Sequence, residues 1–469
     1  MEYRNWPRII DLCAESPSNG LMEKRGGALI DIDQNALEQR MRAYFNSELS
    51  WEAYRLATNV LTQDRARFDA AKARAKAIEA EQFQENRLVR YALRPFDTRW
   101  CYYTGIRPVW NEPRPTLWKQ LFSGNAFLLT RFRSTAVPEG FPVSYTRLLS
   151  DDHYMTPDGV AVPFELPDPA SAKKKGPKNK DQNQLSAFAH EPEPVSSAAI
   201  ANVSPTANEW ASKIGVSDFH KAIWHHVLAI CYSLAYLREN ADGVQQDWPR
   251  IPLPSSEAVL EASSALGSRV AALLDTENPV DYVTTGSLAS ELKLIGQLLK
   301  VDGKPVNEAE DLKITAGWGH AGKDGVTMPG RGKLVQRDRT KSEMSSLIGG
   351  QSKVSEASVS KVLGSATYDV YLNDVCIWKN IPEKVWELYI GGYQVIKKWL
   401  SYREFGFIGR PLTTNEASEV TAMARRLTAL CLMQPELDAN YLRIKAAAYS
   451  WPMPSSEEKS VAVAVDKES

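Results

Sequence analysis

Two segments of the chain concentrate arginine and lysine among aromatic and glycine residues. Residues 87–133 hold nine basic and two acidic residues with ten interleaved aromatic rings, and residues 315–341 hold six basic and two acidic residues. Basic side chains neutralise phosphates, and the arginine fork can bond both acceptors of a guanine edge. The pattern therefore predicts contacts to nucleic acid from Arg107, Arg114, Arg131 and Arg133 in the first segment and from Lys323, Arg331, Lys333, Arg337, Arg339 and Lys341 in the second.

The alternative use of such cations is structural, because an arginine can also stack on core rings or pair with a carboxylate inside the fold. For Arg94 and Arg99, which lie between aromatic residues, we favour this structural role. For residues 331–341, which follow a glycine-rich stretch with loop character, we favour contact with DNA.

The sequence contains none of the motifs that would let these residues modify DNA alone. A DNA adenine methylase holds the flipped base in an Asn/Asp-Pro-Pro-Tyr/Phe loop, and no Pro-Pro dipeptide occurs. No helicase phosphate loop occurs either. The Gly-x-Gly-x-x-Gly pattern at residues 317–322 is not followed by a helix, so we expect a loop lying close to a backbone, its own or that of DNA. We therefore assign no catalytic residue and no cofactor to this chain.

Residue types that bind metals or cleave bonds are present but dispersed. The five cysteines form no Cys-x-x-Cys pair, which indicates reduced thiols and predicts no metal site or disulfide. Asp151-Asp152-His153 would suit a nuclease, although adjacent acids are common in loops. For His225-His226 we expect one ring at the edge of the core and the other in solvent.

The surrounding elements indicate an α+β fold, with helical segments alternating with two strand-rich, loop-rich halves. The 469 residues carry a net charge of -1 and are 43% hydrophobic, with no apolar run long enough to cross a bilayer, so we expect a cytoplasmic protein. The predicted parts are an N-terminal helical coupling segment (1–87), a first recognition half (88–167), a disordered lysine-rich linker (168–208), a helical segment (209–278), a second recognition half (279–380), a C-terminal helical pair (381–451) and a disordered tail (452–469).

Three stretches, in this order, resemble the C-terminal specificity region of type ISP and related single-chain restriction–modification enzymes. The first motif is Tyr-Ala-Leu-Arg-Pro-Phe-Asp-Thr-Arg-Trp-Cys-Tyr-Tyr at residues 91–103, and the second motif is Asp-Trp-Pro-Arg-Ile-Pro at residues 247–252. The third motif is Val-Trp-Glu-Leu-Tyr-Ile-Gly-Gly-Tyr-Gln-Val-Ile-Lys-Lys-Trp-Leu at residues 385–400. The resemblance covers roughly residues 90–435. Each stretch alone is weak, and the three together are specific.

The resemblance implies a target-recognition domain that binds a short sequence of double-stranded DNA. In such enzymes it clamps DNA against an upstream domain that modifies adenine with S-adenosylmethionine. We therefore expect a separate or upstream methyltransferase chain as partner, with the cofactor bound there. Two alternatives remain: a self-contained methylase or nuclease with unfamiliar motifs, and a protein-interaction scaffold derived from such an enzyme.

The second and third stretches predict structural roles. Three prolines make residues 247–254 a rigid connector between two helices. For the third we predict a helix from Glu383 to about Glu404. Gly391 and Gly392 would weaken that helix by about 1 kcal/mol each, which suggests that another backbone packs against them.

Local patterns predict three further elements. Apolar residues at helical spacing predict a helix from about Asn35 to Leu56. Two short strand-like runs on either side of Asn373-Asp374 predict a hairpin. Thr413 and Glu416 have the spacing of a capping box at the start of a helix.

Overall fold

The computed structural model describes residues 2–58, 60–64, 68–168, 199–322, 327–349 and 355–452. Most of the predicted linker (residues 169–198), the candidate Lys323, and all but the first residue of the predicted tail lie outside this part of the chain. Within it, the elements form the mixed α+β fold that the sequence predicts. None of its helices combines the length and the apolar character needed to span a bilayer.

The N-terminal region is helical, and it is more segmented than predicted. The single helix expected from Asn35 to Leu56 is divided into two helices. The Asn46 side chain accepts a hydrogen bond from Glu48 N and stabilises a turn, and the Ser50 side chain then caps the second helix. The helices are α1 (Gln34–Tyr44), α2 (Trp51–Ala57) and α3 (Ala70–Ala80).

Two four-stranded sheets build the first strand-rich half, and each takes one strand from the N-terminal segment, β1 (Ser18–Asn19) or β2 (Ile30–Asp31). One has the order β2-β4-β3-β7, in which the first motif forms the antiparallel pair β3–β4. The other has the order β1-β8-β5-β6. The elements are β1 (Ser18–Asn19), β2 (Ile30–Asp31), β3 (Leu88–Arg94), β4 (Asp97–Tyr102), α4 (Pro115–Lys119), β5 (Phe127–Thr130), β6 (Ser144–Thr146), β7 (Leu149–Ser150), β8 (Val160–Pro163) and β9 (Glu165–Pro167).

The predicted linker is wrong at its C-terminal end, because residues 199–208 are ordered into the fold. They include β10, which pairs with β9, and the start of α5. Asn202 is fully buried, and its side chain bonds Ala14 N, Glu15 N and Pro163 O. The elements here are β10 (Ala199–Ala201), α5 (Pro205–Ile214), α6 (His220–Cys231), α7 (Leu234–Glu239), α8 (Ala241–Gln246) and α9 (Glu257–Leu274).

The second strand-rich half is a four-stranded antiparallel sheet, β11-β16-β15-β14, beside the two-stranded β12–β13 ribbon. The hairpin expected around Asn373-Asp374 is present as β15–β16. The elements are β11 (Gln297–Lys300), α10 (Glu308–Asp311), β12 (Gly319–Ala321), β13 (Thr327–Pro329), β14 (Leu334–Arg337), α11 (Lys341–Ile348), α12 (Glu356–Leu363), β15 (Thr367–Tyr371) and β16 (Cys376–Pro382).

The C-terminal region corrects the helix predicted from Glu383 to Glu404. A two-stranded hairpin interrupts it, because Gly391 and Gly392 adopt φ values of 54° and 88°, which a right-handed helix excludes. The capping box of Thr413 and Glu416 is confirmed. The elements are α13 (Glu383–Trp386), β17 (Tyr389–Ile390), β18 (Tyr393–Gln394), α14 (Val395–Ser401), α15 (Phe405–Ile408), α16 (Thr414–Leu432) and α17 (Gln434–Ala446).

Candidate nucleic-acid interface

The loop between β5 and β6 presents one candidate cation and buries another. Arg131 is 0% exposed and forms a two-pronged ion pair with Glu139, at 2.5 and 2.6 Å. It therefore has no surface to offer to DNA, and its assignment as a contact is wrong. The pair instead fixes the base of a loop whose exposed residues include Phe132 and Arg133, and Arg133 stays a candidate.

The other two candidates of the first segment lie close to the same carboxylate group. Arg107 and Arg114 both approach Glu112, Arg107 by a hydrogen bond and Arg114 at 3.7 Å. The Arg107 side chain is exposed and that of Arg114 half-buried. Arg114 also begins α4 with a φ of 48°, just before Pro115. Both guanidinium groups thus remain reachable, although Glu112 offsets part of their charge.

Two arginines of the second segment serve the fold. Arg337 lies between Glu343 and Asp369, bonding each carboxylate with two contacts of 2.7–3.0 Å. The hydrogen bonds that Arg337 donates to Glu343 are the main reason that the pKa of Arg337 lies above its ordinary value. Arg339 donates to the carbonyls that end α12, among them those of Leu363, Gly364 and Ala366. These contacts match the structural role, which sequence reasoning had reserved for Arg94 and Arg99.

Other cations of this segment remain at the surface. Lys333 is exposed and bonds Asp374 at 2.8 Å. Arg331 and Lys341 are exposed, and among the described residues no hydrogen bond or ion pair to either is found. The backbone directly after Arg331 packs against Trp318, since a Cβ on Gly332 would lie 2.0 Å from the Trp318 ring. The surface candidates of the second segment are therefore Arg331, Lys333 and Lys341.

The Gly-x-Gly-x-x-Gly stretch packs against the protein's own backbone, as one form of the sequence prediction had it. A Cβ on Gly319 would lie 2.0 Å from the carbonyl oxygen of Ser401. Trp318 is fully buried between these glycines, and its indole donates to Tyr371 O at 2.7 Å. The stretch thus joins the second half to the end of α14.

The first motif supplies a buried ion-pair network. Arg94 bonds Asp151 at 2.6 Å, and Arg99 bonds Asp97 at 3.0 Å, which confirms their structural role. Tyr91 donates to the second oxygen of Asp151 at 2.8 Å. Both carboxylate oxygens of Asp151 therefore bond residues of the fold, and this arrangement does not resemble a nuclease site.

Asp152, His153 and Asp158 are close enough to share a cation, with their ligand atoms within 4.8 Å of one another. Asp152 is buried, which raises the pKa of its carboxyl, whereas His153 and Asp158 are exposed. Acidic groups in such positions are common without a metal, so this cluster identifies no reaction.

The third motif connects the first strand-rich half to the C-terminal region through backbone hydrogen bonds. Phe141 N donates to Tyr389 O and Gly391 N donates to Phe141 O, both at 2.9 Å. A Cβ on Gly391 would lie 2.5 Å from Cγ of Met155. The close approach that the paired glycines predict is confirmed, although a hairpin and not a helix makes it.

The second motif is fixed by backbone bonds on both sides, as expected of a rigid connector. Ile9 N donates to Pro249 O, and Ile251 N donates to Pro7 O. His226 is fully buried and bonds Pro252 O at 2.9 Å, while His225 is half-buried. Burial lowers the pKa of His226 to about 4, so this ring is neutral. The prediction that one of the two rings lies in solvent is wrong, because α6 packs closely on α9 and leaves His225 half-buried and His226 buried.

Sequence reasoning missed a further cation at the junction of the first and third motifs. Lys398, on α14, lies 4.3 Å from the ring centre of Tyr402 and 5.5 Å from that of Tyr393. Arg94 and Arg99 lie over the same two rings. The only signal in the sequence was the position of all five residues in or next to the family-like motifs.

The fold and this surface define an α+β protein in which ion pairs bind the motifs together while exposed loops carry cations. The chain belongs to the family of Type ISP C-terminal specificity domains, whose model matches residues 14–422. Among curated proteins no match is found.

Three solved structures resemble the fold. A nuclease-deletion mutant of the Type ISP restriction-modification enzyme LlaGI, in complex with a DNA substrate mimic, is 14% identical with a TM-score of 0.52 and covers 94% of this chain and 34% of its own. The DrdV–DNA complex is 13% identical with a TM-score of 0.52, covering 93% and 36%. The ATP-dependent Type ISP enzyme LlaBIII bound to DNA is 14% identical with a TM-score of 0.53, covering 93% and 24%. The chain thus spans about a third or less of these proteins.

Proposed function

We propose that this chain binds a short sequence of double-stranded DNA and provides target recognition for an adenine-specific methyltransferase of a restriction–modification system. Family membership over residues 14–422 carries the proposal. It is supported by the fold likeness to three restriction-modification or DNA-complex structures. The exposed candidate cations fit it as well: Arg107, Arg133, Arg331, Lys333 and Lys341.

The methyl transfer itself is assigned to another polypeptide or an upstream region. The 469 residues contain no Pro-Pro dipeptide, which an adenine-holding loop of the usual type requires. We propose that S-adenosylmethionine binds to that catalytic part and that the complex works in the cytoplasm. The two strand-rich halves would then contact DNA together, with the helical segments coupling them to the catalytic part.

The decisive experiment measures duplex binding by the purified chain over a range of salt concentrations. Neutralisation of about four phosphates should give a slope near −4 in a plot of log K against log salt. Methyl transfer from labelled S-adenosylmethionine should be absent with this chain alone and should appear when a methyltransferase core is added. A folded chain that binds no duplex at low salt would refute DNA recognition. Methylation or cleavage by the single chain would instead support a self-contained enzyme.

A further inference from the structure

A half-buried cluster of cations and tyrosines lies where the first motif meets α14. Arg94 is 5.4 Å from the ring centre of Tyr393, and Arg99 is 4.9 Å from that of Tyr402. Lys398 approaches both rings from α14. All five side chains are partly exposed, those of Arg94 and Arg99 by only 14% and 16%, so part of the cluster can be reached from solvent.

The charges of this cluster do not balance. Asp151 pairs with Arg94, and Asp97 pairs with Arg99 and with the buried Arg403. Glu419 lies 3.8 Å from Arg403. Four cations, with Lys398 included, thus face three carboxylates.

The unbalanced charge is that of Lys398. Among the described residues no carboxylate pairs with its ammonium, and its charge contacts are the faces of the two tyrosine rings. Such ring contacts offset only part of the hydration that an ammonium loses when it is partly withdrawn from water. Burial, followed by the charge of Arg94, lowers the pKa of Lys398 to about 8. An anion placed here would relieve this cost.

A second donor in the cluster also lacks an acceptor. The Nε–H group of Arg94 is buried, and no hydrogen-bond partner for it is found within the described part of the chain. Buried donors are rarely left unpaired unless a ligand or water completes them. The patch therefore combines one unpaired positive charge with a spare donor beside it.

We propose that Lys398, flanked by Arg94 and Arg99, binds one phosphodiester group of the DNA backbone. A phosphodiester carries a single negative charge, which matches the single unpaired cation. The proposal rests on the proposed function, since DNA supplies the ligand. Both the first and the third motif would then contribute to one phosphate site, because Arg94 and Arg99 lie on β3–β4 and Lys398 lies on α14. Such a contact would position the duplex without reading its sequence.

Lys398→Met tests this, because methionine keeps an apolar stem between the rings and removes the charge. Lys397→Met is the matched control, since Lys397 is the preceding residue of the same helix and is also half-buried. We expect Lys398→Met to lower duplex affinity about tenfold near 0.1 M salt and to reduce the salt slope by about 1. Lys397→Met should match the parent in affinity and in urea midpoint. Lys398→Met should keep or raise the urea midpoint, because it removes a partly buried charge that no carboxylate pairs with among the described residues.

Unchanged affinity and slope in a folded Lys398→Met variant would overturn the proposal. If the parent chain itself binds no duplex, the proposed DNA recognition fails. The thermal midpoint measured with inorganic phosphate then tests whether Lys398 still forms an anion site. Millimolar phosphate that raises the thermal midpoint of the parent and of Lys397→Met, but not of Lys398→Met, would keep an anion site and assign it to a free phosphate. Equal responses in all three proteins would remove the site.

Discussion

Asp97 accepts a hydrogen bond from Arg403 at 2.9 Å, although 306 positions separate the two residues in the chain. Both side chains are almost completely buried. Burial by itself would raise the pKa of Asp97, but Arg403 and Arg99 together hold it well below its ordinary value. This pair links the first motif to the segment that follows the third.

Removing one partner of this pair should strongly destabilise the protein, because the other charge stays buried and loses its partner at 2.9 Å. For Asp97→Asn or Arg403→Met we expect a loss of about 3–5 kcal/mol in the free energy of unfolding by urea. Arg269→Met, which breaks an exposed ion pair with Glu436, should cost about 1 kcal/mol or less. Equal effects from the buried and the exposed pair would show that Asp97 and Arg403 are not coupled as described.

Glycine at position 319 should be required for packing. A Cβ there would lie 2.0 Å from the Ser401 carbonyl oxygen, whereas a Cβ on Gly406 meets nothing within 4 Å. We therefore expect Gly319→Ala to lower the urea midpoint clearly, at a cost of about 1–3 kcal/mol. Gly406→Ala should be neutral or slightly stabilising, since alanine favours the helix α15. A neutral Gly319→Ala would argue against the contact with the end of α14.

Arg331 and Arg337 should separate binding from stability. Arg337→Met breaks buried contacts with Glu343 and Asp369, so it should lower the free energy of unfolding by about 2–4 kcal/mol. Arg331→Met should leave stability unchanged and weaken duplex binding. A uniform loss across sequences with a salt slope reduced by about 1 would indicate a phosphate contact, and a loss of about 1–3 kcal/mol at one base pair would indicate base reading. If Arg331→Met binds all duplexes as the parent does, Arg331 is not at the interface.

His226 should make stability fall on acidification. Its Nε2–H donates to the Pro252 carbonyl, and Nδ1 accepts from Ser263, so the folded state holds the neutral ring. The unfolded chain takes up a proton near pH 6.5, whereas burial lowers the folded pKa to about 4. The contribution of His226 to the free energy of unfolding is therefore fully present above about pH 6.5. It declines as the pH falls towards 4, by at most about 1.4 kcal/mol per pH unit. Urea unfolding at pH 7.5 and 5.0 should show a smaller decline for His226→Gln than for the parent.

Local patterns in the chain sufficed for the class of fold, the family, the capping box at Thr413 and the hairpin at Asn373-Asp374. Each of these depends on residues within a few positions of one another or on a contiguous motif. They also indicated that a backbone would approach the Gly391-Gly392 pair, since glycine permits such contacts.

The role of each cation was decided only by tertiary structure. The sequence does not distinguish Arg131, Arg337 and Arg331. In the structure, Arg131 is buried and paired with Glu139, Arg337 is paired with two carboxylates, and Arg331 is exposed. Lys398 differs from Lys397 only through tyrosines and arginines brought together from distant segments. The energy of a charge depends on its desolvation and on its partners in space, and neither quantity is encoded by neighbours along the chain.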